Sequence, residues 1–363
     1  MDHADVVIVG SGAAGSLLAA KLSASGRRTV LLEAGPKRGM NDLYSSQIWS
    51  RRLKWGGPPT EMEGDHPLSV GFGQGWGTGG SAMHQYACWF RLHPEDFEMK
   101  SRFGRGLDWP ISYDELRPYY DRVQKEVGLS GDAEKEVWRP PGEPYPMPPL
   151  PAFNQGLLIR EGFRKLNLRT SPLPMAINSI EYDGRPNCVY DGWCDAGCPI
   201  GALGNPLAIY LRQALGSGAE ILHDSYVTRV VTDASGRRAV GVEYVDARGE
   251  RQTQEASVVV LAAFALQNPR ILLSSAPGGL ANSSGAVGRY FMAHTATNIW
   301  GMFAEETQNY LGVTGGQMLC PPRPLRCGAP RLRPRGHQVP GDDDSRKRES
   351  PVAREPDGSH REK

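Results

Sequence analysis

The stretch from Asp5 to Gly35 constrains the fold more than any other. "DVVIV" (5–9) is a short β-branched run, the pattern of a strand buried on both faces. It leads into "GSGAAG", a G-x-G-x-x-G with glycines at 10, 12 and 15. "SLLAAKLSASG" follows, with Leu17, Leu18 and Leu22 on one helical face and Gly26 as the stop. "TVLLEAG" is then a second strand ending on Glu33. Gly10 permits the tight turn, Gly12 lets the backbone approach a pyrophosphate, and Gly15 lets helix pack on strand. The helix start at Ala13 and Ala14 offers amide N–H groups to phosphates. Glu33, followed by Ala34, stands where a carboxylate can accept hydrogen bonds from ribose hydroxyls. An isolated G-x-G-x-x-G can be an ordinary glycine turn. Here strand, helix, second strand and acid are all in place, so the unit reads as dinucleotide-binding, without separating NAD from FAD.

A second glycine cluster narrows the choice. "GFGQGWGTGGSAMHQYACWFR" carries glycines at 71, 73, 75, 77, 79 and 80, then Ser81 and His84. A flexible linker seldom interleaves Phe72, Trp76, Tyr86, Trp89 and Phe90. Glycines edged by aromatics suit a backbone pressed against a large flat ligand. With the first motif, and with "RLHPEDF" (91–97), "WPISYDELRPYYDRVQKEVGLSG" (109–131), "SYVTRVV" (225–231), "VVVLAAFALQNPRILLSS" (258–275) and "GAVGRYFMAH" (285–294), the chain resembles the glucose–methanol–choline (GMC) flavoprotein oxidoreductases over roughly residues 4 to 318. The resemblance implies an α/β fold: a Rossmann-like FAD-binding domain with an incomplete α+β substrate-binding domain and a disordered C-terminal tail. It implies that Glu33 holds the adenosine ribose and that Val227 contacts adenine through its backbone. Gly77, Gly79, Gly80, Ser81 and His84 would lie along the isoalloxazine, and Ala262 would also touch the cofactor. His84 stands at the position that some members join covalently to the flavin.

Three of the six cysteines fall in "CVYDGWCDAGC" (188–198). Three thiolates are too few to close a structural zinc site, and an odd number cannot pair off as disulfides. Soft thiolates suit an iron–sulfur cluster or zinc, and Pro199 directly after Cys198 also occurs beside iron–sulfur ligands. Zinc would need a fourth ligand, for which His223 is a distant candidate, and reduced structural thiols are a further reading. The chain is similar here to the GMC branch of glucose, fructose and gluconate dehydrogenase catalytic subunits. That similarity implies a [3Fe-4S] cluster on Cys188, Cys194 and Cys198. Cys88 reads as a small buried residue.

The remaining segments read as scaffold. "SYDE" (112–115) is an N-cap with acids in the first turn, opening an amphipathic helix to 128 in which Tyr119 and Tyr120 are core packing. "EVWRPPGEPYPMPPLPAF" (136–153) is an extended proline-rich crossing. The expected division is an FAD-binding domain in two parts, 1–135 and 201–300. The crossing and cysteine insertion lie between them at 136–200, with the start of a substrate domain at 301–319 and a tail at 320–363. The tail has no apolar periodicity, and with 44 glycines and 29 prolines in the chain part of it is expected to be unfolded or frame-shifted. In the family, the C-terminal half supplies a His that faces the substrate hydroxyl and a His or Asn partner. His337 and His360 lie in the tail, so no catalytic residue is assigned, and His294 reads as structural or cofactor-adjacent.

With 41 Lys and Arg against 40 Asp and Glu, no global field favours nucleic acid. No apolar run is long enough to span a membrane, and no signal peptide precedes the first strand. Cytoplasmic residence, or export alongside a partner, is compatible with that start. The expected function is a CH–OH dehydrogenase for a sugar, polyol or other alcohol, passing electrons through the cluster to a cytochrome-type acceptor. By resemblance the partners are a small chaperone-like subunit and a multihaem cytochrome. An oxygen-using GMC oxidase and a non-catalytic remnant that at most binds FAD are the alternatives.

Overall fold

The computed structural model describes residues 2–44, 55–58, 73–292 and 298–320. Gly71, Phe72, His294, His337, His360 and nearly all of the expected tail lie outside them. Strands β1 (Ala4–Val9), β2 (Thr29–Leu32), β4 (Glu220–Leu222), β5 (Tyr226–Thr232), β6 (Ala239–Val245) and β7 (Arg251–Leu261) form one six-stranded sheet in the order β4-β2-β1-β7-β6-β5. The β4-β2-β1-β7 half is parallel, with Ile8 registered on both Leu31 and Val260, and β7-β6-β5 is antiparallel. A short ladder, β3 (Ser171–Pro172) with β8 (Met318–Leu319), ties the later segment to the middle of the chain. The helices are α1 (Ala13–Ala24), α2 (Met99–Phe103), α3 (Tyr113–Val127), α4 (Asn154–Lys165), α5 (Tyr210–Gly216) and α6 (Phe264–Ser275). The sheet therefore takes strands from the first 32 residues and again from 220–261.

β1 and β2 are buried almost throughout, as fully covered parallel strands require. α1 departs from the leucine face expected of it. Its buried residues are Gly15, Ser16, Ala19, Ala20 and Ser23, while Leu17, Leu18 and Leu22 are only partly buried at the flank. Close approach of helix to sheet selects small side chains on the facing side. At Gly15 a Cβ would sit 2.0 Å from the Gly10 carbonyl oxygen, so no larger residue fits without moving the backbone.

α3 opens as its sequence predicts: the Glu115 amide donates to Ser112 Oγ at 3.3 Å, and the Ser112 amide to Glu115 Oε2 at 2.7 Å. Tyr119 is exposed, contrary to the core role expected for it. Tyr120 takes part instead in a polar cluster, its ring beneath the Arg91 guanidinium at 5.4 Å. Arg91 is buried and donates to Asp121 Oδ1 at 2.5 Å and Gln124 Oε1 at 2.7 Å. Gln124 in turn donates to the Glu143 and Pro144 carbonyls at 2.9 Å each. The cluster fastens the proline-rich crossing to α3. Burial pushes the Asp121 carboxyl up, but the Arg91 and Glu143-amide hydrogen bonds outweigh it, and the carboxyl ends below its ordinary value. Asp121→Asn strands the Arg91 charge and is expected to cost about 3–5 kcal/mol in a denaturant titration at neutral pH. A depressed carboxyl gives stability that is present above the unfolded value of about 4 and lost as pH falls through the folded one. The variant should therefore lose part of the wild type's acid sensitivity below about pH 4.

One strip stays uncovered. Tyr290, Met292, Ile299, Trp300 and Met302 are each more than four-fifths exposed, an unusual run of large apolar groups for a soluble surface.

Candidate cofactor and cysteine sites

The carboxyl end of β1, the start of α1 and the 73–84 loop enclose a cavity of about 480 Å³, within the range of small-molecule sites. β5 and the start of α6 complete its wall. Gly10, Gly12, Ala13, Ala14, Glu33, Ala34, Gly80, Ser81, Val227 and Ala262 line it. Gly15, Gly77, Gly79 and His84 are not among that lining. Gly10 has φ +99, and a Cβ there would lie 2.7 Å from the Ala262 oxygen. The Gly77 amide donates to Glu33 Oε1 at 3.2 Å, and the Gly79 amide to Ser11 Oγ at 2.9 Å. His84 Nε2 accepts from the Trp55 amide at 3.2 Å, and the two rings meet edge-on at 5.4 Å.

Gly12 is the exception among the tight glycines. Its φ is an ordinary −67, and a Cβ there would meet only the Gly79 oxygen, at 3.9 Å. Nothing in the polypeptide around it excludes a side chain at this place, which lines the cavity. No side chain caps α1, and its first turn carries no acid, so its leading N–H groups are left to an anion.

Glu33 is the hub of the site. Buried to 5% exposure, it accepts from the Ser11 amide (3.1 Å), Ser11 Oγ (2.6 Å), the Gly35 amide (3.0 Å) and the Gly77 amide (3.2 Å). One carboxylate thus joins the first glycine turn, the end of β2 and the second glycine loop. Sequence spacing finds Glu33 but misses Ser11, because nothing local marks an x of G-x-G-x-x-G as a ligand to it.

The far wall is also missed by sequence reasoning. Tyr226 stacks on Trp76 at 5.8 Å, and the Arg270 guanidinium lies over the Tyr226 ring at 4.6 Å. Arg270 Nη2 donates to the Val227 carbonyl at 2.8 Å, and Nε to Gln267 Oε1 at 2.6 Å. These residues come from β5, α6 and the glycine loop, and only the sheet brings them together. Phe264 lines the same cavity with φ +80, a left-handed conformation costing roughly 1–3 kcal/mol for a non-glycine residue.

Cys188, Cys194 and Cys198 line a second, smaller cavity of about 40 Å³, walled by Ile177, Trp193, Ala202 and Leu203. Burial pushes the Cys188 thiol up to about 11, even though the Tyr190 amide donates to its sulfur at 3.3 Å, and burial raises Cys194 as well. The loop is pinned from outside: the Cys194 amide donates to Thr314 Oγ1 at 3.1 Å, and that hydroxyl to the Gly192 carbonyl at 2.9 Å. Among the described residues no three His, Cys, Asp or Glu side chains come close enough together to hold a single metal ion. His223 is not beside the cysteines; its Nε2 pairs with Thr78 Oγ1 at 2.9 Å behind the glycine loop. Cys88 is exposed rather than buried, its thiol donating to the Gly315 carbonyl at 3.3 Å. No helix among the described residues is long and apolar enough to cross a membrane.

The chain is 34% identical over 319 residues to the fructose dehydrogenase large subunit of Gluconobacter japonicus, covering 80% of this chain and 58% of that one. It is 32% identical over 316 residues to 2-methyl-1,2-propanediol dehydrogenase of Mycolicibacterium austroafricanum, covering 81% and 55%. The gluconate 2-dehydrogenase flavoprotein of Pantoea cypripedii is 26% identical over 372 residues, with 86% and 59% covered. Among solved structures, pyridoxine 4-oxidase from Mesorbium loti superposes with a TM-score of 0.55 at 24% identity, covering 75% of this chain and 52% of that one. The chain thus spans little more than half the length of the relatives it matches. The GMC oxidoreductase family profile matches residues 4–296. With its glycine cradle, buried hub carboxylate and mixed sheet, the chain belongs to the GMC oxidoreductases.

Proposed function

We propose that this chain is the flavin-binding part of an FAD-dependent dehydrogenase that oxidises a CH–OH group of a sugar, polyol or other alcohol. We further propose that electrons leave through a [3Fe-4S] cluster on Cys188, Cys194 and Cys198 toward a cytochrome-type acceptor. The observation that carries the first part is the cavity at the uncapped start of α1, where Gly12 brings bare backbone to the lining although the protein around it has room for a side chain. Support for the reaction comes from relatives that are named dehydrogenases of fructose, a propanediol and gluconate. FAD, when bound, supplies the hydride acceptor. The protein's own part is to bind and orient it. The α1 amides would face the pyrophosphate and the Val227 backbone the adenine, while Glu33, already accepting from Ser11, Gly35 and Gly77, would hold the loops that stand beside the ribose. Gly80 and Ser81 form the wall along the flavin ring, with Gly77, Gly79 and His84 in the same loop.

The cluster reading rests on the donor set. Three soft ligands line one largely apolar cavity that Asp191 also borders, and burial raises the Cys188 and Cys194 thiols. Residues 301–319 then begin a substrate domain, with β8 as its first fixed strand. The Gluconobacter relative is a large subunit, which supports companion subunits here: a small chaperone-like chain and a multihaem cytochrome.

Visible absorption of anaerobically purified protein tests both parts. Flavin bands plus a broad iron–sulfur envelope, with about three irons per chain, are expected. Cys194→Ser should lose the iron and keep the flavin. Flavin without iron would favour an oxygen-using oxidase. Stoichiometric zinc would overturn the cluster, and protein that takes up no flavin would overturn the whole assignment.

A further inference from the structure

Arg185 is a charge buried where no carboxylate of the described residues touches it. It is 4% exposed. Its Nη2 donates to the Val127 carbonyl at 2.5 Å and its Nη1 to the Gly201 carbonyl at 3.4 Å. Among the described residues Nε, also buried, finds no acceptor. Asp183 acts on Arg185 only through space, and is itself paired with Arg212 at 3.6 Å in half-exposed positions. Arg212 opposes the Arg185 charge, and burial opposes it more strongly still.

The backbone fixes this cation to the cysteine loop. Asn178, fully buried, donates through Nδ2 to the Arg185 carbonyl at 3.0 Å and accepts the Cys188 amide at 2.9 Å. Gly201, whose carbonyl holds Nη1, donates its own amide to the Cys198 carbonyl at 3.2 Å. The guanidinium is therefore built into the same turns that present the thiols. A buried cation without a carboxylate is costly.

We propose that Arg185 is the internal countercharge of an anionic centre on Cys188, Cys194 and Cys198, a positioning residue that favours the thiolate-bound, reduced form of that centre. The proposal rests on the cluster reading above. A cluster held by three thiolates is anionic, and adding one electron makes it more so while no bond at Arg185 changes. Charge close to the sulfurs is one of the levers by which a protein sets a cluster's potential. A fixed cation makes reduction easier.

The test uses the full chain, purified anaerobically, as wild type, Arg185→Met and Arg185→Lys. Iron and flavin are counted, the midpoint potential is measured by electron paramagnetic resonance during dithionite titration, and thermal midpoints are taken for iron-loaded and iron-stripped forms. Arg185→Met is expected to keep flavin and to show a more negative cluster midpoint, largely restored in Arg185→Lys. It should be less stable than wild type when loaded, yet equally or more stable when stripped, because the uncompensated charge is gone. If Arg185→Met retains flavin but no iron, the stripped comparison decides: equal or higher stability supports the proposal and lower stability overturns it. An unmoved midpoint in iron-replete Arg185→Met overturns it. So does an equal loss of stability in both forms, or failure to fold in either, since each describes a plain clamp on two carbonyls. Wild-type protein that carries no iron removes the cluster reading itself, a different outcome from iron-replete wild type beside an unmoved variant.

Discussion

Gly12→Val is expected to yield a folded protein that has lost essentially all of its flavin. The local geometry makes the two halves of that statement separable. At position 12 the backbone is extended, and the only atom near a new Cβ is the Gly79 oxygen at 3.9 Å. The chain can therefore accept a side chain there, which then projects into the space where a dinucleotide's phosphates meet the start of α1. Thermal unfolding of the flavin-free protein should be nearly unchanged, while bound flavin after gel filtration falls below about a hundredth of wild type, the loss expected of a site whose anion contacts are all displaced by about 3 kcal/mol or more. Gly15→Val is the control. Its Cβ would overlap the Gly10 carbonyl at 2.0 Å, so that variant should fail to fold whether or not flavin is supplied. Undiminished flavin in Gly12→Val would show that the cofactor's phosphates do not lie against the start of α1.

The 363-residue polypeptide, purified alone and reconstituted with FAD, is expected to reduce no dye with any sugar or alcohol. Oxidising a carbinol needs a base for the hydroxyl proton, and no histidine among the described residues lines the cavity. Of the described histidines His3 pairs with Ser257, His84 accepts from Trp55, His223 pairs with Thr78, and His93 lies at the exposed start of the 94–98 turn. Glu33, the carboxylate of the cavity, already accepts four hydrogen bonds. Losing general-base help is worth roughly 10²–10⁴ in rate, and losing the wall that orients substrate adds to it. The exposed strip at Tyr290, Met292 and 299–302 indicates where such a wall would rest, and it should make the lone chain prone to associate. Fusion of the corresponding C-terminal part of the Gluconobacter relative after Leu319 should restore turnover and suppress association together. Robust turnover by the unfused chain would mean that a base inside 1–320 has gone unrecognised.

The parts of this site that can be read from sequence are those where sterics act within a few residues. Gly10 is favoured by its own left-handed φ and Gly15 is forced by the carbonyl of its own turn, and Glu33 follows at the distance one helix and one strand impose. The hydroxyl of Ser11, the Tyr226–Trp76 stack and Arg270 are set by pairing between strands far apart in the chain, and no local pattern announces them. The same limit explains three misjudged side chains. α1 presents alanines and serines to the sheet because the helix lies close, and hydrophobic periodicity cannot weigh proximity. Tyr119 faces solvent because Tyr120, one position on, is claimed by Arg91. Cys88 is exposed because its neighbour Ala87 takes the buried place.

The strand order carries a consequence for how the protein is made. β1 lies between β2, close behind it in the chain, and β7, whose Ala256 registers on Ala4. On a ribosome adding about 5–20 residues per second, β1 waits roughly 10–50 s for that second neighbour. During that interval a strand of alanine, valine and isoleucine has one open edge, the kind of edge that recruits other chains. The cofactor cannot shorten the wait, because Val227, Ala262 and Arg270 belong to its cavity and emerge last. Heterologous yield should therefore respond to slower growth temperature and to chaperones that shield nascent strands, and much less to flavin added to the medium.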